Sequence, residues 1–201
     1  EMRGQRQEVP HEIVAAHVAA GFLRAAQVTA DRLTALRIEV LRRAFVEGGY
    51  MPADAVQAAQ AAFDVYYEGR NAVEFFPGAL EALTTLHAAF DLYALSNGNA
   101  DIRRVGLGHL FSRHFSAASV GAAKPDPRMY QAAIAASGLP PSQILHVGDH
   151  PEQDIAAAAA VGMRTLWVNF SDQVWPDLPP ADAEISAFDQ LLPAVSRLAG
   201  R

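Results

Sequence analysis

Four polar residues stand shortly after apolar runs in this chain. Ser96 and Lys124 each follow one such run, and Asp149 and Asp154 follow a third at residues 144–147. A hydroxyl and an ammonium can hold the oxygens of a phosphate group. Two carboxylates five residues apart offer the hard oxygen ligands that Mg²⁺ prefers. The residue types therefore predict chemistry on a phosphorylated small molecule, with Mg²⁺ as cofactor.

Lys124 is the only lysine in the sequence, and the other fifteen strongly cationic side chains are arginine. Arginine presents a wide planar fork, whereas lysine is a compact charge on a flexible stem. In a crowded site, an ammonium can touch both a carboxylate nucleophile and a phosphate oxygen. The composition thus indicates a position where arginine does not replace lysine, and the alternative is the chance survival of one lysine.

Each of these residues alone also has a structural interpretation. Ser96 precedes Asn-Gly, which is common turn chemistry. Asp149 precedes a predicted helix, where it would serve as an N-cap, and Asp154 would be an acid favoured by the helix dipole in the first turn. Their joint position at the ends of successive predicted strands favours a functional site.

The first part of the chain has the apolar spacing of helices. Residues 33–47 and 53–68 carry apolar side chains at intervals of three and four, and a further helix is predicted over residues 11–27. Gly48 ends the predicted helix over residues 33–47. No strand is predicted before residue 76.

From residue 76 onward, apolar strands alternate with helices. This pattern predicts a parallel sheet with helices on both faces, and ligands bind beyond the carboxyl ends of such strands. Asp126 and Pro127 provide an N-cap and a first-turn proline for one helix. Strands are predicted at residues 91–95, 115–119, 144–147 and 164–168, with helices at 77–89, 101–110, 127–137 and 152–161 and a last short helix around Leu191.

The composition narrows the class of protein. The chain has 201 residues, is 51% apolar and 19% charged, and can bury a core without disulfides or metals. It contains no cysteine, which fits a reducing cytoplasm. A net charge of −6 argues against a nucleic-acid partner, and the apolar runs are too short for a membrane span.

Three ordered motifs carry a family resemblance: Leu95-Ser96-Asn97-Gly98, Lys124-Pro125-Asp126-Pro127, and Val147-Gly148-Asp149 with Asp154. In these the chain resembles the haloacid dehalogenase-like hydrolase superfamily. The resemblance implies a Rossmann-like core with an all-helical cap domain. It also implies site residues: Ser96, Lys124 and Asp149 in catalysis, Ser96, Asn97, Gly98 and Lys124 at the substrate, and Asp149 and Asp154 at Mg²⁺.

The superfamily's first motif, Asp-x-Asp, occurs nowhere in these 201 residues. Its first Asp is the nucleophile that takes the phosphoryl group, and its second is the acid/base. We therefore expect residues 1–75 to form the helical cap and residues 76–201 to form the core without its first strand. We also expect this chain, taken alone, to be inactive, with an aspartyl-phosphate mechanism operating in the full-length protein.

The dehalogenase branch of the superfamily shares the serine and lysine but lacks the paired acids, so Asp149 and Asp154 favour the phosphatase branch. A non-catalytic binding protein is the rival that the missing motif supports. The run from Ser96 to Ala100 is similar to a bacterial subgroup that dephosphorylates a ribityl-aminouracil phosphate. No two histidines have metal-ligand spacing: His146 is predicted to be a core residue, and His150 a candidate substrate contact.

Overall fold

The computed structural model describes residues 13–16 and 30–200. Within these residues, six strands form one sheet in the order β3-β2-β1-β4-β5-β6, and every neighbouring pair is parallel. The predicted α/β fold class with a parallel, helix-flanked sheet is confirmed. The strands are β1 (Ile13–Ala16), β2 (Asp91–Ser96), β3 (Arg113–Ser116), β4 (Ile144–Gly148), β5 (Arg164–Val168) and β6 (Ala183–Ile185).

Seven α-helices accompany this sheet in the described part of the chain. They are α1 (Ala30–Glu47), α2 (Pro52–Asn71), α3 (Ala79–Ala89), α4 (Ala117–Val120), α5 (Pro127–Ser137), α6 (Ala157–Ala160) and α7 (Leu191–Leu198). A π-helix (Pro151–Ala156) runs directly into α6, and short 3₁₀ turns cover Pro141–Gln143 and Phe188–Gln190. Of the helices described, none is long and apolar enough to cross a membrane.

Strands β2, β4 and β5 bury both of their faces, as strands of a sheet covered by helices on both sides do. In β2, Leu92 and Ala94 join the core cluster that contains α3 and α7 side chains. Tyr93 and Leu95, which point to the opposite face, join the cluster formed with α5 and α6. The sheet therefore separates two apolar cores, one on each of its faces.

The structure corrects the prediction for the start of the chain. Strand β1 lies between β2 and β4, with Val14 opposite Leu92 and Ala16 opposite Val147. Residues 13–16 are thus not part of the predicted helix over 11–27, and the other residues of that prediction lie outside the described ones. The predicted absence of a core strand is therefore wrong at this position. Without β1, backbone hydrogen-bonding groups of β2 and β4 would be unpaired.

Two predictions after β2 are also wrong. Residues 101–110 form successive turns instead of a helix, and Gly106 has a φ of 90°, outside helical values. The next strand covers residues 113–116 rather than 115–119. It ends early because the Ser116 hydroxyl accepts a hydrogen bond from the Ser119 amide (3.1 Å) and caps α4.

Helices α1 and α2 form a helical hairpin that is tied to the sheet at one end. The Asn71 side chain donates to the carbonyl of Tyr67 (2.7 Å) and accepts from the backbone amide of Asp101 (2.7 Å). Arg104 pairs with Glu68 and lies over the Tyr67 ring. The helical hairpin occupies the predicted cap segment, and the division at residue 75 stays a prediction.

Candidate active site

The loop that carries Lys124 is fastened to the end of β2 by one side chain. Asn97 Oδ1 accepts a hydrogen bond from the Lys124 amide (2.7 Å), and Asn97 Nδ2 donates to the Lys124 carbonyl (2.9 Å). On the far side, Asp126 caps α5 by accepting from the Arg128 amide (3.0 Å), as predicted. The backbone at Lys124 is therefore fixed from both directions.

The Lys124 side chain reaches the loop after β4. Its Nζ lies 2.6 Å from Asp154 Oδ1, and the two residues are only 4% and 1% exposed. This contact brings two of the predicted site segments together at the carboxyl edge of the sheet. A buried, charge-assisted hydrogen bond of this length is among the stronger polar contacts in proteins.

Both oxygens of the Asp154 carboxylate have partners. Oδ2 accepts from the backbone amide of His150 (3.0 Å), and Oδ1 lies 3.3 Å from Nε2 of His146 as well as contacting Lys124. Asp154 lies in the π-helix, and its carboxylate contacts His146 of the preceding strand β4. The His150 imidazole caps that turn by accepting from the amides of Glu152 (3.2 Å) and Gln153 (3.1 Å).

Gly148 makes room for the buried carboxylate. A Cβ at this position would lie 2.4 Å from both Cβ and Cγ of Asp154 and 2.7 Å from its Oδ2. Contacts that short do not occur between real side chains, so any other residue would displace Asp154. The glycine of the Val147-Gly148-Asp149 motif is thus explained by Asp154 rather than by backbone conformation.

Asp149 has a different environment from Asp154. It is exposed, and no described residue hydrogen-bonds to or pairs with its carboxylate. Its backbone is held, because the buried indole of Trp167 donates from Nε1 to the Asp149 carbonyl (3.0 Å). Asp149 therefore offers carboxylate oxygens to a ligand from a fixed main chain.

Ser96 ends β2 with its hydroxyl oxygen oriented by the next turn. Its Oγ accepts a hydrogen bond from the Gly98 amide (3.0 Å), and the residue is half-buried. Because that bond uses the oxygen as acceptor, the hydroxyl hydrogen can still be donated, and no described residue takes it. The hydroxyl is thus poised to donate to an anionic oxygen.

Three residues that sequence reasoning missed complete the cluster. Gln153 accepts from Asn97 Nδ2 through Oε1 (3.3 Å), and its carbonyl accepts from the Tyr130 hydroxyl. Burial, and secondarily the charge of Asp154, raises the pKa of Tyr130, so its hydroxyl stays neutral and donates. His146 is buried, as predicted, but its contact with Asp154 was not predicted. A histidine inside an otherwise apolar strand is the sequence signal for such a polar contact.

A cleft of about 660 Å³ adjoins this cluster between α2 and the loop after β2. It is lined by aromatic residues of α2 and by polar groups of the sheet, and it reaches Gly98, two residues beyond Ser96. Its main lining side chains are Phe63, Tyr67, Asn99, Arg103 and His114. Burial lowers the pKa of His114, so this imidazole is mainly neutral near pH 7.

The fold and the positions of the motifs indicate a class of protein, and comparison with known protein families identifies that class. A family model described as haloacid dehalogenase-like hydrolase matches residues 6–162. The chain belongs to this family, as the motifs at Ser96, Lys124 and Asp149 indicated.

Two curated relatives of this chain are phosphatases by name. The chain is 31% identical to the phosphoserine phosphatase of Thermus thermophilus over 76% of its own length and 61% of that protein's. It is 29% identical to the 5-amino-6-(5-phospho-D-ribitylamino)uracil phosphatase YigB of Escherichia coli over 68% and 57% of the two lengths. The chain therefore spans about three-fifths of the length of these curated relatives.

A solved structure is also similar to this chain. The 2-haloacid dehalogenase from Pseudomonas syringae pv. Tomato superposes with a TM-score of 0.82 at 30% identity. The match covers 93% of this chain and 99% of that one. The roles predicted for individual side chains remain predictions: catalysis by Ser96, Lys124 and Asp149, substrate contacts by Asn97 and Gly98, and metal binding by Asp149 and Asp154.

Proposed function

We propose that the protein containing this chain is a Mg²⁺-dependent phosphatase that acts on a small phosphate monoester. The observation that carries the proposal is the buried Lys124–Asp154 ion pair (2.6 Å), whose Asp154 follows the same strand, β4, as the exposed Asp149. An ammonium, a carboxylate and the Ser96 hydroxyl at the carboxyl edge of one parallel sheet suit a phosphate and its metal ion.

In this mechanism, a carboxylate oxygen attacks phosphorus while the bond from phosphorus to the leaving oxygen breaks. The leaving oxygen takes a proton, and water then hydrolyses the aspartyl-phosphate and restores the carboxylate. The 201-residue sequence contains no Asp-x-Asp, so none of its residues is assigned as the nucleophile. Ser96 and Lys124 act by donating to the oxygens of the phosphoryl group, whose charge they stabilise.

The residues present fit a Mg²⁺ ion held mainly by water and substrate. No cluster of three or more metal-ligating side chains occurs among the described residues. Mg²⁺ is usually bound through one or two carboxylates plus phosphate oxygens and water, so the exposed Asp149 suffices as a protein ligand in the described part. When bound, the ion would neutralise charge on the phosphate.

Asp154 has a different role in this proposal from the one predicted. Its two oxygens already accept from Lys124, His150 and His146, so direct ligation of a metal would break at least one of these bonds. We assign to Asp154 the task of holding the Lys124 ammonium in place. A water between Asp154 and the ion remains compatible with this assignment.

The names of the relatives support a phosphorylated metabolite as substrate. One relative acts on phosphoserine and another on a ribitylamino-uracil phosphate, as their names state. The cleft next to Gly98 combines aromatic and polar groups and would receive the leaving group. The chain without cysteine and with a net charge of −6 supports a cytoplasmic enzyme that has no nucleic-acid partner.

The proposal is tested on the complete gene product with p-nitrophenyl phosphate, with Mg²⁺ and with excess chelator. We expect Mg²⁺-stimulated hydrolysis and at least a hundred-fold loss in Asp149→Asn, about the effect of removing one charge-stabilising group. Asp177→Asn, at an exposed aspartate, is the matched control and should retain full activity. Full activity of Asp149→Asn would overturn the proposal.

Two other functions have specific support. The similarity to a 2-haloacid dehalogenase supports halide release, which predicts chloride production from 2-chloropropanoate without added metal. The missing Asp-x-Asp supports a non-catalytic phosphate-binding protein, which predicts phosphate binding without turnover. We predict that the 201-residue chain alone does not turn over aryl phosphate, and efficient turnover by it would contradict our account of the nucleophile.

A further inference from the structure

His146 is a polar residue at a position that would ordinarily be apolar. It lies in β4, between β1 and β5 in the sheet, and is 0% exposed. Its Nδ1 has no hydrogen-bond partner among the described residues. A buried polar atom without a partner costs free energy, and leucine would fill the space without that cost. A reason for a histidine at this position must therefore lie in the contacts of its other ring nitrogen, Nε2.

The other nitrogen faces the Asp154 carboxylate. His146 Nε2 lies 3.3 Å from Oδ1, the same oxygen that receives the Lys124 ammonium at 2.6 Å. Since a carboxylate only accepts hydrogen bonds, this contact requires the tautomer with the hydrogen on Nε2. Burial lowers the pKa of His146 more than Asp154 raises it, in keeping with a neutral ring that donates one hydrogen bond.

The ring is held in this orientation by its neighbours. Tyr130 packs edge-on against it with centroids 5.3 Å apart and an interplanar angle of 78°. The Tyr130 hydroxyl is itself bound to the Gln153 carbonyl. His146 can therefore act as a fixed donor on the side of Asp154 that the His150 amide does not reach.

We propose that His146 is a positioning residue that orients the Lys124 ammonium by holding the Asp154 carboxylate. Among the described residues, three donors contact the carboxylate: the His146 ring, the His150 amide and Lys124 itself. Without the ring, Oδ1 loses the partner that limits rotation of the carboxylate, and the ammonium follows it. This role rests on the proposed function, in which Lys124 donates to the phosphoryl group.

The single lysine makes the proposal directly observable. A chain grown with ¹³C,¹⁵N-lysine gives one side-chain ammonium signal, that of Lys124, without any substrate. In His146→Leu we expect this signal to shift and broaden while the circular dichroism stays native. In His146→Gln, whose amide nitrogen can replace Nε2, the signal should stay near its wild-type position, and in His146→Asn, whose nitrogen is one methylene shorter, it should not.

Activity of the complete gene product provides the second readout. Loss of a hydrogen bond to a charged group predicts a fall of about ten-fold or more in kcat/KM for His146→Leu. We expect rescue to within about three-fold by His146→Gln and none by His146→Asn. His87→Leu, at an exposed histidine in α3, is the control and should change neither readout.

The outcomes separate this inference from the proposed function. A folded His146→Leu chain whose lysine signal is unchanged in position and width would overturn the positioning role, whatever the activity. Equal signals in His146→Gln and His146→Asn would also overturn it, because polarity alone would then explain the residue. The predicted signal changes with no phosphatase activity in the complete product would leave the positioning intact and refute the function.

Discussion

The helical hairpin and the carboxyl edge of the sheet hold ion pairs of nearly the same length in opposite environments. In α1, Glu39 contacts Arg42 at 2.7 Å and Arg43 at 2.8 Å, with the Arg43 side chain 71% exposed. At the sheet edge, Lys124 contacts Asp154 at 2.6 Å, with both side chains 2% exposed. At nearly equal distance, burial rather than length is expected to determine how much an ion pair affects the free energy of unfolding.

The physical reason lies in what each charge would do without its partner. At the surface, water solvates a lone carboxylate almost as well as an arginine does. In the buried pair, the remaining charge would lose the counterion that offsets its removal from water, so removal of one partner is costly. The sheet-edge pair should therefore affect stability and function, while the hairpin pairs should affect neither.

The largest effect is expected for Asp154→Ala. This change leaves the Lys124 ammonium buried without its carboxylate, and we expect the free energy of unfolding to fall by about 3–5 kcal/mol. Urea denaturation followed by circular dichroism measures the change. A loss below about 1 kcal/mol would show that the pair is far more solvated than its burial indicates.

Glycine-to-alanine changes should alter the free energy of unfolding in opposite directions in the two regions. At Gly148 the new Cβ collides with Asp154, and we expect a loss of about 1–3 kcal/mol. At Gly69, inside α2, no atom lies within 4 Å of the new Cβ, and alanine should stabilise the helix by about 0.5–1 kcal/mol. The same denaturation experiment measures both, and equal signs would contradict the interpretation.

The pH dependence of stability should differ between the regions. The pKa of folded His146 lies below its ordinary value of 6.5, so the unfolded chain takes up this proton first as the pH falls. The contribution of this histidine to the free energy of unfolding is therefore fully present above about pH 6.5. It declines below that pH, by at most about 1.4 kcal/mol per pH unit. Denaturation midpoints at pH 7.5 and 5.5 measure the effect.

His146→Gln is the control for this prediction, and it should flatten the decline. His114, whose pKa is also lowered by burial, is unchanged in the variant and so cancels in the difference. Glu39 belongs to a separate window, since its two arginine partners lower its pKa from 4.5 to about 2. An identical decline in wild type and variant would show that His146 is not the group responsible.

The smallest effect is expected for Glu39→Gln. The variant removes the negative charge from both arginine contacts of an exposed side chain, and we expect the melting temperature to stay within experimental error. Added salt should not change that result. A clear drop in melting temperature would mean that the hairpin pairs contribute as a network.

The sequence was sufficient to predict the elements with strong local signals. Strands β2, β4 and β5 are continuous apolar runs, and α5 begins at an Asp-Pro cap that the structure reproduces. Strand β1 could not be predicted, because the alanines within Ile13–Ala16 suit a helix and only pairing with β2 and β4 makes it a strand. Tertiary pairing outweighs local propensity there.

The site shows the same division. Local motifs predicted that Lys124 and the acids after β4 would meet, and Lys124 does meet Asp154. They did not distinguish Asp154, which is buried and fully hydrogen-bonded, from the exposed Asp149. That distinction depends on the π-helix and on the space beside Gly148, which three-dimensional packing determines.

The placement of the aromatic residues has a practical consequence for spectroscopy. The chain has two tryptophans, and Trp167 and Trp175 lie in edge contact with each other, 4.8 Å between centroids, beside the Asp149 backbone. Three of the five tyrosines, Tyr50, Tyr66 and Tyr67, belong instead to the helical hairpin or its connecting loop. Emission excited at 295 nm therefore reports the surroundings of the two tryptophans at the sheet edge, and melting of the hairpin alone should leave it unchanged.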